Sequence, residues 1–473
     1  APHFVQHTRA ESLASGDLGP DRTKLMTTLD ARLQATVQRV LDERMRHLAP
    51  KRVAHGAALV VDHTTGEVLA WVVAGGAGEE GPTSFIDAVT TPRQPGSALK
   101  PFLYALALDS GWTAAEVIED APLSESIAGG LHSYQNYSRR FYGPVALRDA
   151  LGNSLNIPAL KTLQDVGAEP YLRTLAALGF AGLTNHPDFY GDGIALGSGA
   201  VTLLELVQAY ATLANAGVLR PVTTRFDDVG LSPTRRVYTA EAASLVANIL
   251  SDADARALEF GRDSVLSFPV QTAVKTGTSS DFRDAWAVGF NYRYTVGAWM
   301  GNLDQTPTDG VTGSTGPALL LRSVFAELTR DARTEPLYLS PKLVQANVCV
   351  PMPLREAVDE CLQRDEWFLP GTEPVAGAVA ATAVDAIRLR RPTPGLQLAY
   401  DPRLPAAAQA FDFELAGVGL ADRVVWTVDG RELERTGATY RWPVTRGSHR
   451  VAAQVLRGGA AIASVAEVAF AVK

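Results

Sequence analysis

Apolar residues first recur at helical spacing at Leu33, Val37, Val40 and Leu41, behind Thr28-Leu29-Asp30, which offers a cap. The pattern predicts a helix running to Leu48. Residues 57–62 and 68–73 are apolar runs on either side of His63-Thr64-Thr65-Gly66, a hairpin signal. Gln94-Pro95-Gly96 is a breaker cluster, after which apolar residues continue at helical spacing through Ala107 and Leu108. Ser97 then falls in the first turn of a helix, with Lys100 one turn on and on the same face. Pro101 is tolerated there because the first N–H groups of a helix have no intrahelical partner.

From 111 to 152 the periodic signal is weak, and Tyr134, Asn136, Tyr137, Phe141 and Tyr142 suit either ordinary packing or a loop over a cleft. Residues 151–158 form a polar turn entering another helix. Leu203, Leu206, Val207, Tyr210 and Leu213 make a core-facing helix stripe, and 241–251 a further helix. Residues 270–278 read as a strand, 285–290 and 294–300 as a second hairpin, and Pro317–Leu328 as a closing helix. Two hairpin-like strand groups are thus split by a long, mostly helical insertion. That order predicts the α+β class, with an antiparallel sheet flanked by helices and a helical subdomain. Residues 1–27 read as a polar linker, 28–335 as this mixed domain and 336–390 as a Pro-containing linker. In 391–473, short runs separated by Gly, Asp or Pro predict a small all-β sandwich. Its Trp426, Trp442 and His449 read as core or turn residues.

Length and composition narrow the class. A chain of 473 residues exceeds one ordinary core, and its 46 % hydrophobic and 20 % charged fractions read as globular. A net charge of −8 without a basic stripe argues against nucleic-acid binding. No run of 18 apolar residues is present. The chain opens Ala1-Pro2-His3-Phe4 without a signal peptide, so compartment is not legible from a targeting segment. Cys349 and Cys361, 12 residues apart, are either one disulfide or two free thiols, and with no His or Cys pair beside them a zinc site is not expected. Gly76-Ala77-Gly78-Glu79-Glu80-Gly81 matches G-x-G-x-x-G, but Pro82 and a polar stretch follow where a dinucleotide fold needs a helix; it reads as a mobile loop, with no cofactor.

Three short motifs carry the chemistry: Ser97-x-x-Lys100, Ser154-x-Asn156 and Lys275-Thr276-Gly277. A serine hydroxyl needs an adjacent base to become a nucleophile, and a lysine one turn away serves if burial and other cations lower its pKa. Ser154 is placed to relay a proton to a leaving amine, and Asn156 to donate to substrate backbone or to hold Lys100. Lys275 supplies positive charge, while Thr276 and Thr278 suit a substrate carboxylate. Gly277 would let substrate lie along the strand edge. The backbone N–H groups of Ser97 and Thr278 form the expected oxyanion hole. Each motif is common alone; in this order they are the signature of penicillin-binding proteins and serine β-lactamases.

The wording around the motifs sharpens the resemblance. Arg93 through Phe102, Thr27-Thr28-Leu29-Asp30, Ala209 through Gly217 and Phe282-Arg283-Asp284-Ala285-Trp286 resemble the class A penicillin-binding proteins. Val425 through Gly430, Trp442 to His449 and Phe368-Leu369-Pro370-Gly371-Thr372 are similar to the C-terminal module and linker of one subtype. The resemblance implies a penicillin-binding transpeptidase fold and a DD-transpeptidase that cross-links peptidoglycan stem peptides through an acyl-enzyme on Ser97. It also implies covalent acylation there by β-lactams, and a periplasmic, inner-membrane-anchored location. It favours a Cys349–Cys361 disulfide and suggests envelope protein partners for the C-terminal module. A membrane anchor and a glycosyltransferase domain precede this region in such proteins; neither is in this chain, so no glycan polymerisation is expected of it. The alternatives are a DD-carboxypeptidase or serine β-lactamase, or a catalytically slow penicillin-binding scaffold. Hydrolysis of the acyl-enzyme needs a positioned base, and the sequence offers no acidic residue near Ser154 for it.

Overall fold

A computed structural model describes residues 1–18, 24–75, 86–127, 130–330, 333–354, 361–374, 387–400, 409–419 and 422–473. Five apolar runs pair into one antiparallel sheet: β1 (His55–Asp62), β2 (Glu67–Ala74), β3 (Ala273–Thr278), β4 (Asp284–Phe290) and β5 (Tyr294–Gly301). Their order is β2-β1-β5-β4-β3, so the two hairpins meet where β1 pairs β5, His55 opposite Gly301 through Asp62 opposite Tyr294. Every residue of β1 is buried. A strand covered on both faces needs apolar residues at successive positions, which explains continuous runs where an exposed sheet would alternate.

Helices cover both faces. On one side, α2 (Ala31–Leu48) and α7 (Pro317–Leu328) bury Val37, Leu41, Leu321 and Phe325 against Val60, Val72 and Ala298. Asp30 caps α2, its Oδ1 accepting from the N–H groups of Arg32 and Leu33 at 2.9 Å each, a contact worth about 1 kcal/mol. On the other side, α3 (Lys100–Asp109), α5 (Leu203–Ala214) and α6 (Ala240–Ser251) pack Phe102, Tyr210 and Val246 with Leu59, Trp71 and Val288. At Gly297 a Cβ would lie 2.4 Å from Val207, so a glycine there lets α5 rest on the sheet. Within the insertion, α4 (Asn156–Val166) follows the Ser154 turn.

Two stretches read as linkers contain ordered elements. In the N-terminal stretch, Pro2–Ala14 form helix α1 rather than irregular chain. Its buried residues are Phe4, Thr8 and Ser12, so hydroxyls occupy most of the inner face and no apolar stripe marks it. Phe4 sits edge-on to Trp71, ring centroids 6.2 Å apart, and His7 packs on the same indole. Within 336–390, Val344–Pro351 pairs antiparallel with Cys361–Phe368, and a disulfide joins Cys349 to Cys361. Val348, Val350 and Phe368 bury against Ala115, Val117 and Ala146. The second strand hides its purpose behind charge, because Glu366 is fully buried on Arg148, with Nε–Oε2 and Nη2–Oε1 both at 2.5 Å. The Gly76–Gly81 motif lies outside the described residues.

From Arg388 on, the regular elements among the described residues are all strands. Arg388–Arg391, Ala410–Ala416 and Thr439–Pro443 form one sheet; Gln397–Leu398, Ala460–Val472, Gly447–Arg457, Arg423–Val428 and Arg431–Thr436 form another. Phe413, Trp426, Trp442, Val451 and Phe470 share the core between them. His449 lies against Trp442 and Phe470 with Nδ1 2.8 Å from Asp429, so these aromatic residues are packing. Arg388 pairs with Asp165, and Arg390 with both Asp192 and Glu414, tying the first sandwich strand to the helical insertion.

Removing one partner of a buried ion pair strands the other charge, which typically costs about 3 kcal/mol or more, whereas replacing both by apolar residues costs far less. Glu366→Ala is therefore expected to lower the unfolding free energy by about 3 kcal/mol in chemical denaturation, and Arg148→Met with Glu366→Leu to recover most of that loss. A double variant no more stable than the single one would contradict the assignment.

Candidate active site

Three glycines bring three backbone segments together. Residues Gly96–Leu99 form a 3-10 turn that leads into α3. Gly96 has φ +55°, and a Cβ on it would lie 2.3 Å from the carbonyl oxygen of Thr278. A Cβ on Gly277 would lie 2.2 Å from the carbonyl of Pro95, and one on Gly197 (φ +81°) 2.2 Å from that of Gly96. Only glycine permits such approaches. Gly277 is thus required by packing of β3 on the Ser97 turn, a different reason from the open strand edge read in the sequence. Buried hydroxyls fix the start of α3: Tyr210 Oη donates to Ala98 O at 2.7 Å, Tyr171 Oη to Leu99 O at 2.9 Å and Tyr238 Oη to Phe102 O at 2.9 Å.

Lys100 is fully buried and its Nζ donates to Ser154 O at 2.6 Å, Leu155 O at 2.9 Å and Asn156 Oδ1 at 2.7 Å. No hydrogen bond joins it to Ser97 Oγ among the described residues. The loop that supplies these acceptors is unusual, with Ser154 at φ +59°, left-handed without being glycine. Asn136 holds it: its Oδ1 accepts the Asn156 N–H at 2.7 Å, and its Nδ2 donates to both oxygens of Asp120. Asn156 Nδ2 donates to Gln135 O, so its side chain is turned to Lys100 and the neighbouring backbone. On the far side of Ser154, Lys275 Nζ donates to Ser154 Oγ at 2.7 Å and to Thr276 O at 2.8 Å. A single polar chain therefore runs Asn156–Lys100–Ser154–Lys275.

Both lysines are less basic than in water. Burial, with the Lys275 ammonium next, holds Lys100 well below its ordinary value, against the pull of Glu259 and Asp120. Burial and the Arg256 guanidinium lower Lys275 to about 7. Arg256 spends its own donors on the carbonyls of Leu250, Asp252 and Leu266.

Ser97, Ser154, Asn156, Thr276, Gly277 and Thr278 line one open cleft of about 800 Å³. Thr278 Oγ1 accepts the Gly313 N–H at 3.2 Å, and the backbone of Thr278 lies against Gly96, beside Ser97. Cys349 and Cys361 are not among the lining residues. Of the aromatic residues between 134 and 142, Tyr142 is buried and Tyr137 is the one that lines the cleft. Sequence reasoning missed Asp120 and Arg256, which act through others, named Asn136 only within a stretch suited to packing or to a loop over a cleft, and found no acidic neighbour for Ser154. That last expectation is corrected by Glu259, which lines the same cleft. Nothing in the sequence flags it, since residue 259 lies more than a hundred positions from Ser154 in an aperiodic segment.

The fold, with the three motifs gathered around one cleft, is that of a penicillin-binding transpeptidase domain. The family model for the penicillin binding protein transpeptidase domain matches residues 56–318, a stretch that holds all three motifs, and the chain belongs to that family. Among individual relatives, penicillin-binding protein 1C of Escherichia coli (strain K12) is 32% identical over 363 residues, covering 74% of this chain and 45% of that protein. Penicillin-binding protein 1A from Haemophilus influenzae superposes with a TM-score of 0.65 at 20% identity, covering 79% of this chain and 76% of that one. PonA1 from Mycobacterium tuberculosis, in complex with penicillin V, superposes with a TM-score of 0.59 at 19% identity, covering 71% and 94%. At such identities the superpositions establish fold. The chain spans less than half the length of several curated relatives it matches, penicillin-binding protein 1C among them.

The lowered lysines make stability depend on pH. Between about 7, where folded Lys275 loses its proton, and 10.5, its ordinary value, the unfolded chain holds a proton that the folded chain lacks. Stability must then rise with pH across that window, by up to about 1.4 kcal/mol per pH unit for each such lysine; below it both states are protonated and the burial penalty is fully present. Lys275→Met is expected to flatten the slope of unfolding free energy between pH 7 and 10 relative to the unsubstituted chain. Identical slopes for the two proteins would contradict the assignment.

Proposed function

We propose that this chain is the transpeptidase region of a peptidoglycan-cross-linking enzyme that works through a serine acyl-enzyme and is acylated by β-lactams at the same serine. The observation that carries the reading is the hydrogen-bonded chain from Asn156 through Lys100 and Ser154 to Lys275, whose Asn156 and Ser154 line one cleft with Ser97. An ammonium fills all three acceptors around Lys100. A neutral amine donates only two hydrogens, which frees one acceptor and leaves a lone pair to take the proton of Ser97. Lowered basicity at Lys100 is what makes that form accessible near neutral pH.

The reaction then runs in two halves. Ser97 Oγ attacks the penultimate D-alanine carbonyl of a stem peptide while Lys100 takes its proton. The N–H groups of Ser97 and Thr278 bind the developing oxyanion, each contributing roughly 3 kcal/mol. Ser154 passes a proton to the departing D-alanine, and Lys275, Thr276 and Thr278 hold the terminal carboxylate. The acyl group is then transferred from Ser97 to an amine of a second stem peptide. A β-lactam enters as a mimic of the first half. The periplasm is the proposed location, where a Cys349–Cys361 disulfide persists; among the described residues no helix is long and apolar enough to cross a membrane. Envelope protein partners are proposed for the C-terminal module.

Fluorescent penicillin is expected to label the chain once, with mass spectrometry placing the adduct on the peptide that holds Ser97. Ser97→Ala should abolish labelling, and Lys100→Ala should slow it by about a hundredfold or more. An adduct on any other peptide would overturn the site.

A further inference from the structure

Among the described residues Glu259 is the only carboxylate lining the cleft, and its surroundings hold it in place. The segment carrying it is clamped to the Ser154 loop: Asn153 Oδ1 accepts the Glu259 N–H at 2.9 Å, while Asn153 Nδ2 donates to Ala255 O at 2.7 Å. Gly152 abuts the same segment, since a Cβ there would lie 2.3 Å from Ala255 O. One carboxylate oxygen of Glu259 is pinned, Oε1 accepting from Ser138 Oγ at 2.6 Å and Tyr142 Oη at 2.9 Å. Oε2 accepts no hydrogen bond from a described residue. The side chain is half-buried.

The charge balance says what such a group is for. Lys100, Lys275 and Arg256 are buried, and none of them lines the cleft. An acceptor amine arrives as an ammonium at neutral pH, and it has to be held and to lose a proton before it can attack. A fixed carboxylate with an open oxygen attracts the ammonium and accepts one of its protons.

We propose that Glu259 is the residue that binds the incoming amine of the acceptor stem peptide, an inference that rests on the transpeptidase reading above. The ammonium gives one proton to the Glu259 carboxylate, and the freed amine attacks the Ser97 ester carbonyl. The C–N bond forms and the C–O bond to Ser97 breaks. The amine's second proton returns to Ser97 Oγ, and Glu259 passes its own proton to water. The acyl group is neither oxidised nor reduced, and no further reactant is needed.

The test is how an acyl-enzyme already formed on Ser97 partitions between water and an added nucleophile, so the acylation rate drops out. With a D-Ala-D-Ala peptide donor at about pH 7.5, Glu259→Gln is expected to lower the ratio of aminolysis to hydrolysis about tenfold or more for glycine, which carries an ammonium. For hydroxylamine, uncharged at that pH, the ratio should hold within about twofold, and Glu259→Asp should recover part of the glycine ratio. Equal loss with both nucleophiles would reduce Glu259 to a structural prop, and no loss with either would end the inference. A slower hydrolysis with the glycine ratio unchanged or raised would make Glu259 the base for water instead, and would also overturn it. If the unsubstituted chain takes up no fluorescent penicillin, or its acyl-enzyme yields only to water, the transpeptidase reading itself fails.

Discussion

Two lysines sit in the interior with a serine between them, and the rest of the site is arranged to make that tolerable. A buried ammonium without partners is prohibitively unstable, so the protein surrounds Lys100 with three oxygen acceptors and gives Lys275 two. Most of those acceptors belong to the Ser154 loop, which reaches them only by holding Ser154 in a left-handed conformation. Asn136 and Asp120 keep the loop in that shape. The residual cost is expressed as lowered basicity, and lowered basicity is the property that the proposed nucleophilic chemistry at Ser97 requires.

The scaffold's contribution is close backbone approach. The end of β3, the turn at Ser97 and the segment ending at Gly197 touch through glycines, with no side chains between them. Burial of β4 and β5 between helices makes the sheet edge rigid, and Trp286 on β4 donates to Gln94 O at 2.9 Å, tying the sheet to the turn directly. Tyr171, Tyr210 and Tyr238 do the same from the helical side. Ser97 is therefore held from both layers of the domain.

How much of this could be read in the chain follows from the distance over which each feature acts. The hairpins and α2, α5 and α7 are legible because their periodicity is local. The catalytic motifs are legible because each packs two reacting groups within one turn of helix or strand. Helix α1 escapes notice because Thr8 and Ser12 occupy buried positions where apolar residues are looked for. The 344–368 hairpin escapes because its central buried residue, Glu366, is charged and answers an arginine over two hundred residues earlier. Asn136, Arg256 and Glu259 join the site purely by tertiary folding, and no spacing announces them. Gly277 is a subtler case: its identity is legible, but the backbone it must admit, at Pro95, is not.

The central claim is that these two lysines are weak bases in the folded protein, and direct titration decides it. The chain has only seven lysines, so the side-chain Cε resonances of a lysine-labelled sample can be followed individually by NMR as pH rises, with Lys100→Arg and Lys275→Arg providing assignments. The account predicts one resonance titrating near 7, from Lys275, and the Lys100 resonance also well below the remaining five. All seven titrating together near 10.5, the ordinary lysine value, would contradict it.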